Sequence, residues 1–189
     1  MSAHPVEGLP DESPAVAVVP MRRRHLRAVL RIEGRTRRSR PWSLSLFMGE
    51  LALRQSRLYV VAKIGNLVIG YGGVMLNGDE AHVTNIAVDP VSQAMRVGTR
   101  MMVVLLRESV RRGMRSMTLE VSVANEPAQA MYRRFGFAPE GIRRNYYADI
   151  GEDALIMTAR AIDADEYGDR LARIEQLLPS PTVVEGFAR

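Results

Sequence analysis

A carboxylate and a phenol stand twelve residues apart in the sequence, at positions where they could exchange protons with a bound substrate. Glu120 falls on the polar side of the segment Met117–Val123, whose other side is apolar, which is typical of a half-buried β-strand. Tyr132 follows Asn125, a residue that can cap a helix. A carboxylate can accept a proton, and a tyrosine hydroxyl with a pKa of about 10 can donate one. The residues alone favour a solvent-facing carboxylate and a core aromatic, because catalytic carboxylates are the minority.

A second candidate site is the connection between a strand-like segment ending at Val88 and a helix beginning at Val97. Gly98 and Thr99 fall in the first turn of that helix, where backbone N–H groups have no partner within the helix. The positive end of the helix dipole also lies there, which suits a pyrophosphate. With a single glycine, the physics alone favours an ordinary strand–turn–helix connection.

The composition excludes several kinds of chemistry. The chain has no cysteine, which rules out disulfides, cysteine ligands and a cysteine nucleophile. The motifs of serine hydrolases, zinc proteases and P-loop proteins are absent. His4, His25 and His82 lie far apart without the spacing of metal ligands, so we predict no metal site. Direct transfer between two bound substrates remains, with carboxylates, tyrosine and backbone amides as the available groups.

Positive charge is concentrated near the start of the chain. Lys and Arg number 26 against 21 Asp and Glu, a formal net charge of +5 at pH 7. A basic segment can attract nucleic acid, ribosomes or an anionic cofactor. A solvated helix face is favoured over nucleic-acid binding, since no aromatic residues are interleaved for base stacking. The arginines of this segment are Arg22, Arg23, Arg24, Arg27, Arg31, Arg35, Arg37, Arg38 and Arg40.

The elements that would position these groups form a mixed α/β pattern. The 189 residues suffice for one domain with a substantial core. A first strand is predicted at Ala15–Val19, and a helix from Arg22 to Glu33 that Gly34 would end. The later elements are a helix from Ser43 to Arg54, strands at Leu58–Ile64, Leu67–Met75 and Ala81–Val88, a helix at Val97–Arg112, a strand at Met117–Val123, a helix from Asn125 to Phe135, and strands at Ile142–Ala148 and Ala154–Ala159.

The two ends of the chain are predicted to lie outside this domain, which we place at residues 14–161. Residues 1–13 are predicted to be a flexible tail. Residues 162–189 are predicted to be a helical tail, with an amphipathic helix at Asp165–Leu178 and no structure beyond Pro179. No apolar run approaches the roughly 20 residues of a membrane span, and the start lacks the apolar stretch of a signal peptide. We therefore expect a cytoplasmic protein with no membrane partner.

The segment Asn85–Thr99 resembles the coenzyme A loop of the GNAT superfamily of acetyltransferases, whose pattern is Q/R-x-x-G-x-G/A. Gln93 matches the first position and Gly98 the last, whereas Arg96 replaces the first glycine. The backbone of Arg96 can still donate its N–H, and its side chain could meet a phosphate. The resemblance implies acetyl-coenzyme A as co-substrate, its pantetheine arm paired with Ile86, Ala87 and Val88, and its pyrophosphate wrapped by Ala94, Met95, Arg96, Val97, Gly98 and Thr99.

Further segments resemble a subgroup of that superfamily, the RimI-type enzymes, which acetylate the N-terminal alanine of a small-subunit ribosomal protein. Thr118–Phe137 matches the pattern L-E-V-x-x-x-N-x-x-A-x-x-x-Y-x-x-x-G-F. Gly141–Tyr147 followed by Glu152–Met157, together with Pro41–Ser43, also has counterparts there. The resemblance covers roughly residues 15–160. It implies a single GNAT-like α/β domain with a central mixed, mostly antiparallel sheet flanked by helices.

The same resemblance implies roles for individual residues. Glu120 would be the general base that takes a proton from the acceptor amine, and Tyr132 the general acid that protonates the leaving sulfur. Asn125 would contact the cofactor. Tyr146 and Tyr147 would either line the acceptor groove or pack on a strand, and both alternatives stay open.

The acceptor is expected to be the N-terminal amine of a protein, with a ribosomal protein as one candidate. Trp42 is assigned to the acceptor site, although a tryptophan there is more often a core anchor, and His82 is expected to be structural. Two alternatives stay open: a GNAT enzyme acting on lysine side chains or a small amine, and a non-catalytic ribosome- or RNA-associated protein. The basic loop Gly34–Arg40 predicts a preference for acidic residues after the first residue of the acceptor, rather than for a peptide beginning Ala-Arg.

Overall fold

The structure is a computed structural model that describes residues 14–36 and 40–187 of the chain. The predicted flexible tail at residues 1–13 lies outside the described residues, as do Arg37 and Arg38 of the basic loop.

Eight strands form one sheet: β1 Val16–Pro20, β2 Arg57–Ile64, β3 Leu67–Asn77, β4 Glu80–Val88, β5 Ser116–Ser122, β6 Ala138–Tyr147, β7 Glu152–Arg160 and β8 Thr182–Val184. Their order across the sheet is β6-β7-β5-β4-β3-β2-β1-β8. Neighbouring strands are antiparallel except for two parallel pairs, β4 with β5 and β1 with β8. The predicted α/β fold with a mixed, mostly antiparallel sheet is confirmed.

Five α-helices accompany the sheet: α1 Leu26–Thr36, α2 Leu44–Ala52, α3 Val97–Arg111, α4 Glu126–Arg134 and α5 Asp165–Gln176. One turn of 3₁₀ helix, Arg23–His25, precedes α1, and a 3₁₀ helix of six residues, Pro90–Met95, precedes α3. Both predicted N-caps are present, because the Ser43 hydroxyl accepts from the Leu46 N–H at 3.3 Å and the Asn125 side chain accepts from the Ala128 N–H at 3.2 Å. Such caps satisfy backbone donors that the first helical turn leaves unpaired.

Two predictions about where elements end are wrong. Gly34 does not end α1, which continues to Thr36, where the hydroxyl donates to the Ile32 carbonyl at 2.9 Å. A glycine within a helix costs about 1 kcal/mol relative to alanine, and packing of the buried Val29 and Ile32 outweighs that cost. The segment beyond Pro179 is not structureless either, because β8 pairs in parallel with Val16–Val18.

The core lies on both faces of the sheet. On one face α3, α4 and α5 contribute residues such as Met101, Tyr132 and Leu171. On the other face α1 and α2 pack through residues such as Ile32 and Phe47. Burial on both faces explains why β2 and β3 are buried continuously instead of at alternate residues.

A buried arginine joins the C-terminal segment to the first turn of α3. Arg100 is 1% exposed, and its guanidinium donates to the Ser180 carbonyl at 2.8 Å and to the Thr182 hydroxyl at 2.9 Å. The same side chain donates to the Met95 carbonyl at 3.2 Å. Burial lowers the pKa of this guanidinium below its ordinary value. A buried charge needs such partners, so Arg100 fixes the approach to β8.

The strands β4 and β5 separate in the middle of the sheet. Glu80–His82 pairs with Ser116–Thr118, and within the described residues the two strands pair no further. Beyond these three pairs β4 remains bonded to β3 and β5 to β7. Each strand therefore has one backbone edge that faces the gap instead of a neighbouring strand.

Candidate active site

A cleft of about 720 Å³ lies where β4 and β5 separate. Its walls are the second half of β4, the beginning of α3, the second half of β5 and the first turns of α4. Its size is that of small-molecule sites in proteins, which range from about 300 to 1,000 Å³. All the candidate proton-transfer groups found in the sequence line this cleft.

A second cleft of about 710 Å³ lies between the end of β1, the second half of α2 and the beginning of β2. Its one lining carboxylate among the described residues is Glu50, which pairs with Arg57 at 2.6 Å and accepts from the Tyr59 hydroxyl at 2.8 Å. The gap between β4 and β5 and the beginning of α3 line the first cleft and not this one. We assign the chemistry to the first cleft. The arginines of the second are Arg22, Arg23, Arg24, Arg54, Arg57 and Arg112.

Two basic side chains hold the carboxylate of Glu120. Nε2 of His82 lies 2.8 Å from Oε2, and Nη1 of Arg143 lies 3.1 Å from Oε1. The side chain is 4% exposed. The hydrogen bond from His82 is the main cause that lowers the pKa of Glu120 below its ordinary value; burial opposes it and the charge of Arg143 adds to it. The carboxylate is therefore ionised at neutral pH.

Sequence reasoning missed the contact between His82 and Glu120. The two residues are on β4 and β5, and their proximity depends on the parallel register that places His82 beside Thr118. Local patterns in the sequence do not specify which strands pair or in what register. His82 is 27% exposed and does not line the cleft, so it reaches the site only through Glu120.

Tyr132 lies on α4 and lines the cleft at 5% exposure. Its ring packs against Phe137, with 5.8 Å between the ring centroids. Burial raises the pKa of the Tyr132 hydroxyl above its ordinary value, and the nearby Tyr147 adds to the effect. The hydroxyl therefore stays protonated at neutral pH, which a proton donor requires.

Most of the predicted cofactor contacts are brought together here. Lining the cleft are Ile86, Ala87, Val88, Arg96, Gly98, Thr99 and Asn125. Met95 and Val97 pack toward the core instead, and Val97 is fully buried. The backbone of Ala94 lies in the 3₁₀ turn before α3.

The beginning of α3 fits a diphosphate. The first N–H bonded within this helix is that of Arg100, which donates to the Arg96 carbonyl at 3.0 Å, so the N–H groups of Val97, Gly98 and Thr99 have no helical acceptor. A Cβ at Gly98 would be 3.4 Å from Sδ of Met131, an ordinary contact. The packing of the protein therefore does not require glycine at this position, and a glycine here leaves room for a ligand to approach the backbone.

Arg96 adopts a left-handed backbone conformation, with φ of 57°. This conformation costs a non-glycine residue about 1–2 kcal/mol. It accounts for the glycine that the coenzyme A loop pattern carries here. Arg96 is exposed and lines the cleft, so its side chain is available to an anionic ligand.

The three aromatic residues assigned to the acceptor differ in position. Tyr147 lines the cleft. Tyr146 lies edge-on against Tyr147, with 5.0 Å between ring centroids, and does not line it. Trp42 packs against Phe47 at 5.3 Å, in the cluster on the other face of the sheet, and is likewise not among the lining residues.

Sequence reasoning also missed Glu33, a buried carboxylate in the wall of the cleft. It accepts from the Trp42 backbone N–H at 2.8 Å and from the Tyr71 hydroxyl. A signal was present, since Glu33 follows Val29 and Ile32 on the buried side of α1, where a charge is unusual.

Comparison with known proteins agrees with this geometry. Residues 26–137 match the model of the acetyltransferase (GNAT) family. The chain belongs to the GNAT acetyltransferase family. This GNAT enzyme is therefore an acyltransferase that uses acetyl-coenzyme A as co-substrate.

Several relatives have names that specify an acceptor. The ribosomal protein bS18-alanine N-acetyltransferase of Salmonella typhimurium is 39% identical over 119 residues, covering 62% of this chain and 79% of the relative. The N-alpha-acetyltransferase RimI of Mycobacterium tuberculosis is 38% identical over 121 residues, covering 62% and 74%. The crystal structure of the ribosomal-protein-S18-alanine N-acetyltransferase of Escherichia coli superimposes with a TM-score of 0.70 at 32% identity, covering 77% of this chain and 94% of that one.

Within residues 14–36 and 40–187, no three histidine or acidic side chains are grouped so that they could hold a metal ion. None of the helices in these residues is long and apolar enough to cross a membrane.

Proposed function

We propose that this GNAT enzyme acetylates the N-terminal α-amine of a protein, with the N-terminal alanine of ribosomal protein bS18 as the first candidate. The acceptor is inferred from the names of relatives that are 36–39% identical. One observation carries the chemistry: a carboxylate kept ionised by His82 and Arg143 lines the same cleft as the protonated phenol of Tyr132. An enzyme acting on a ribosomal protein would work in the cytoplasm.

The co-substrate would be held by β4 and by the turn into α3. Ile86–Val88 presents an unpaired backbone edge to the pantetheine arm, Ala94–Thr99 supplies N–H groups to the pyrophosphate, and Asn125 contributes from the cap of α4. When bound, acetyl-coenzyme A supplies the acetyl thioester that the amine attacks.

Glu120 would act on the acceptor amine. An N-terminal amine has a pKa of about 8, so most of it arrives as ammonium at neutral pH. The Glu120 carboxylate attracts the ammonium and takes one proton onto an oxygen, directly or through water. The lone pair that this frees on nitrogen attacks the acetyl carbonyl carbon, and the second proton that the nitrogen then loses passes to solvent. The low pKa of Glu120 guarantees the ionised form at the cost of basicity.

Tyr132 would act on the departing side of the reaction. The hydroxyl is protonated because burial raises its pKa. It donates that proton to the sulfur as the carbon–sulfur bond breaks, and it is restored by solvent afterwards. A positioned acid of this kind contributes roughly 10²–10⁴-fold to a rate.

We propose that the aromatic side chains near the cleft contribute to acceptor binding in different ways, one by direct contact and two indirectly. Tyr147 would contact the acceptor directly, and Tyr146 would support it through their edge-on packing. Trp42 would contribute only by fixing the loop before α2, since it packs on Phe47. The division of the chain into residues 1–13, 14–161 and 162–189 stays a prediction.

The decisive experiment combines the purified protein, acetyl-coenzyme A and short peptides, and locates the added acetyl group by mass spectrometry. We expect acetyl on the α-amine of a peptide beginning with alanine. A matched peptide with a blocked N-terminus and an internal lysine should stay unmodified. Acetylation of that lysine would show that the acceptor is a side-chain amine and not the α-amine. Strong, steeply salt-dependent RNA binding without any transfer would instead favour an RNA-associated protein.

The basic loop after α1 adds a specificity hypothesis. A peptide series that differs only in charge at the second and third residues should give faster acetylation with acidic residues. Equal rates across the series would remove the hypothesis. Arg35 would contribute little, because it already pairs with Asp89 at 3.4 Å.

A further inference from the structure

The side-chain amide of Asn85 is buried in the wall of the cleft without a protein partner. Neither Nδ2 nor Oδ1 has a hydrogen-bond partner among the described residues, and both atoms are buried from solvent. Buried polar groups are nearly always hydrogen-bonded, so an exception calls for an explanation. Within the same residues, the other buried side-chain atom without a partner is the hydroxyl oxygen of Ser109, on α3 and away from the cleft.

An irregularity in β4 sets the direction of Asn85. Gly73 of β3 pairs with Asn85, but the next residue, Val74, pairs with Val83, so Thr84 is an extra residue in β4. Such a bulge places two successive side chains on the same side of a sheet. Thr84 lies 3.1 Å from the Tyr59 hydroxyl, on the face covered by α1 and α2. Asn85 is therefore turned to that face too.

The position of Asn85 along β4 puts it near the reacting end of the co-substrate. It directly precedes Ile86–Val88, the stretch proposed for the pantetheine arm, and it lies toward the point where β4 meets β5. Glu120 lines the same cleft from β5. Asn85 and Glu120 therefore line the same cleft from the two strands that separate.

We propose that the Asn85 amide binds the first residue of the acceptor through both of its polar atoms. Nδ2 donates to the carbonyl oxygen of the first peptide group, and Oδ1 accepts from the amine. The inference rests on the proposed function and deepens it. Asn85 is thereby the residue that distinguishes an α-amine from other amines.

The chemistry of the amines explains this selectivity. An α-amine is followed after one carbon by a carbonyl group, so it offers a donor and an acceptor side by side, which matches the donor and acceptor of one carboxamide. A lysine ε-amine sits on a four-carbon stem and has no carbonyl beside it. It would leave the buried Nδ2 unpaired, and sites built to hydrogen-bond a group discriminate strongly against analogues that lack it.

The test uses Asn85→Leu, which keeps the approximate size and removes both polar atoms. Because no hydrogen bond within the protein is lost, the variant should melt at the same temperature as the wild type or higher. Ser109→Ala is the matched control, since it also removes a partnerless buried polar atom. It should leave both transfer and acetyl-coenzyme A binding unchanged.

Two acceptor peptides then separate the roles: a peptide beginning with alanine, and the same peptide with an (E)-alkene in place of the first peptide bond. The alkene keeps the shape and the amine but lacks the carbonyl oxygen. For each peptide we measure kcat/KM with the wild type and with Asn85→Leu and take the ratio of the two values. The alkene alters the basicity of the peptide amine, but this affects both enzymes equally and cancels in the ratio. We expect a ratio of about tenfold or more for the natural peptide and a clearly smaller ratio for the alkene, which keeps only the bond from its amine to Oδ1.

Equal ratios for the two peptides would overturn the inference. So would a change confined to the KM for acetyl-coenzyme A, which would assign the amide to the thioester. Failure of the wild type to acetylate any peptide would instead refute the proposed function, and with it the need for Asn85 to recognise an α-amine.

Discussion

Nε2 of His82 lies 2.8 Å from Oε2 of Glu120, at the last point where β4 and β5 are paired. The hydrogen bond joins the two strands just before they part to form the cleft. It orients the carboxylate and favours its ionised form. His82 is thus a positioning residue that acts through Glu120.

Replacing His82 should change the pH dependence of the reaction. The hydrogen bond lowers the pKa of Glu120, so His82→Ala should raise that pKa, although Arg143 still faces the carboxylate. The base is then protonated at a higher pH, and the acid limb of the kcat/KM profile should move upward. His82→Gln can still donate an N–H and should move the limb less. Superimposable acid limbs for the wild type and His82→Ala would contradict the role.

Removing the carboxylate itself should slow the reaction most near neutral pH. Glu120→Gln is expected to lower kcat/KM for an alanine peptide by about 10²-fold or more. The loss should shrink above pH of about 8, because the amine is then deprotonated by solvent. Glu140→Gln is the control, since Glu140 pairs with Arg160 at 2.7 Å outside the cleft and should not affect turnover. A wild-type rate for Glu120→Gln at pH 7 would end its assignment as base.

The Tyr132 hydroxyl should affect turnover without affecting co-substrate binding. Tyr132→Phe keeps the packing on Phe137, so calorimetry should give an unchanged affinity for acetyl-coenzyme A while kcat falls by roughly 10²-fold or more. Tyr167→Phe is a demanding control, because that buried hydroxyl donates to the Phe135 carbonyl at 2.7 Å outside the cleft. It should cost about 1 kcal/mol of stability and leave kcat unchanged. Normal turnover in Tyr132→Phe would show that Tyr132 is a structural core residue and not the general acid.

Arg96 should show a conflict between stability and ligand binding. Arg96→Gly relieves the left-handed strain and should raise the free energy of unfolding by up to about 1 kcal/mol. It also removes a cation beside the proposed pyrophosphate, so affinity for acetyl-coenzyme A should fall and depend less on salt. Arg96→Asn tolerates the same conformation and separates the two effects, because it removes the charge without adding glycine flexibility. An unchanged affinity for acetyl-coenzyme A in both variants would show that the side chain of Arg96 does not contribute to binding.

The sequence predicted those parts of the fold that depend on local periodicity and capping. Ser43 and Asn125 cap α2 and α4 as expected, and the alternation in Met117–Val123 correctly placed β5. These signals work because the residues concerned interact with neighbours a few positions away. The three residues of β8 are too few to carry a periodic signal, and they depend on the edge of β1.

The sequence predicted which residues belong to the candidate site but not which side chains they contact. The resemblance named Glu120 and Tyr132, and both line one cleft. The partners of Glu120 come from β4 and β6, and the direction of Asn85 depends on an extra residue in β4. Contacts of this kind are fixed by strand register across the sheet, which no local pattern encodes.

The guanidinium of Arg100 fastens two distant parts of the molecule with one side chain. It donates hydrogen bonds to Ser180 and Thr182 at the start of β8, and it also donates to the carbonyl of Met95, just before the helix start proposed to bind the diphosphate. Deleting the chain from Ser180 onward would remove the Ser180 and Thr182 partners of this guanidinium, and the first turn of α3 would loosen first. Binding of acetyl-coenzyme A would thereby depend on residues after 137, outside the segment 26–137 that matches the family model.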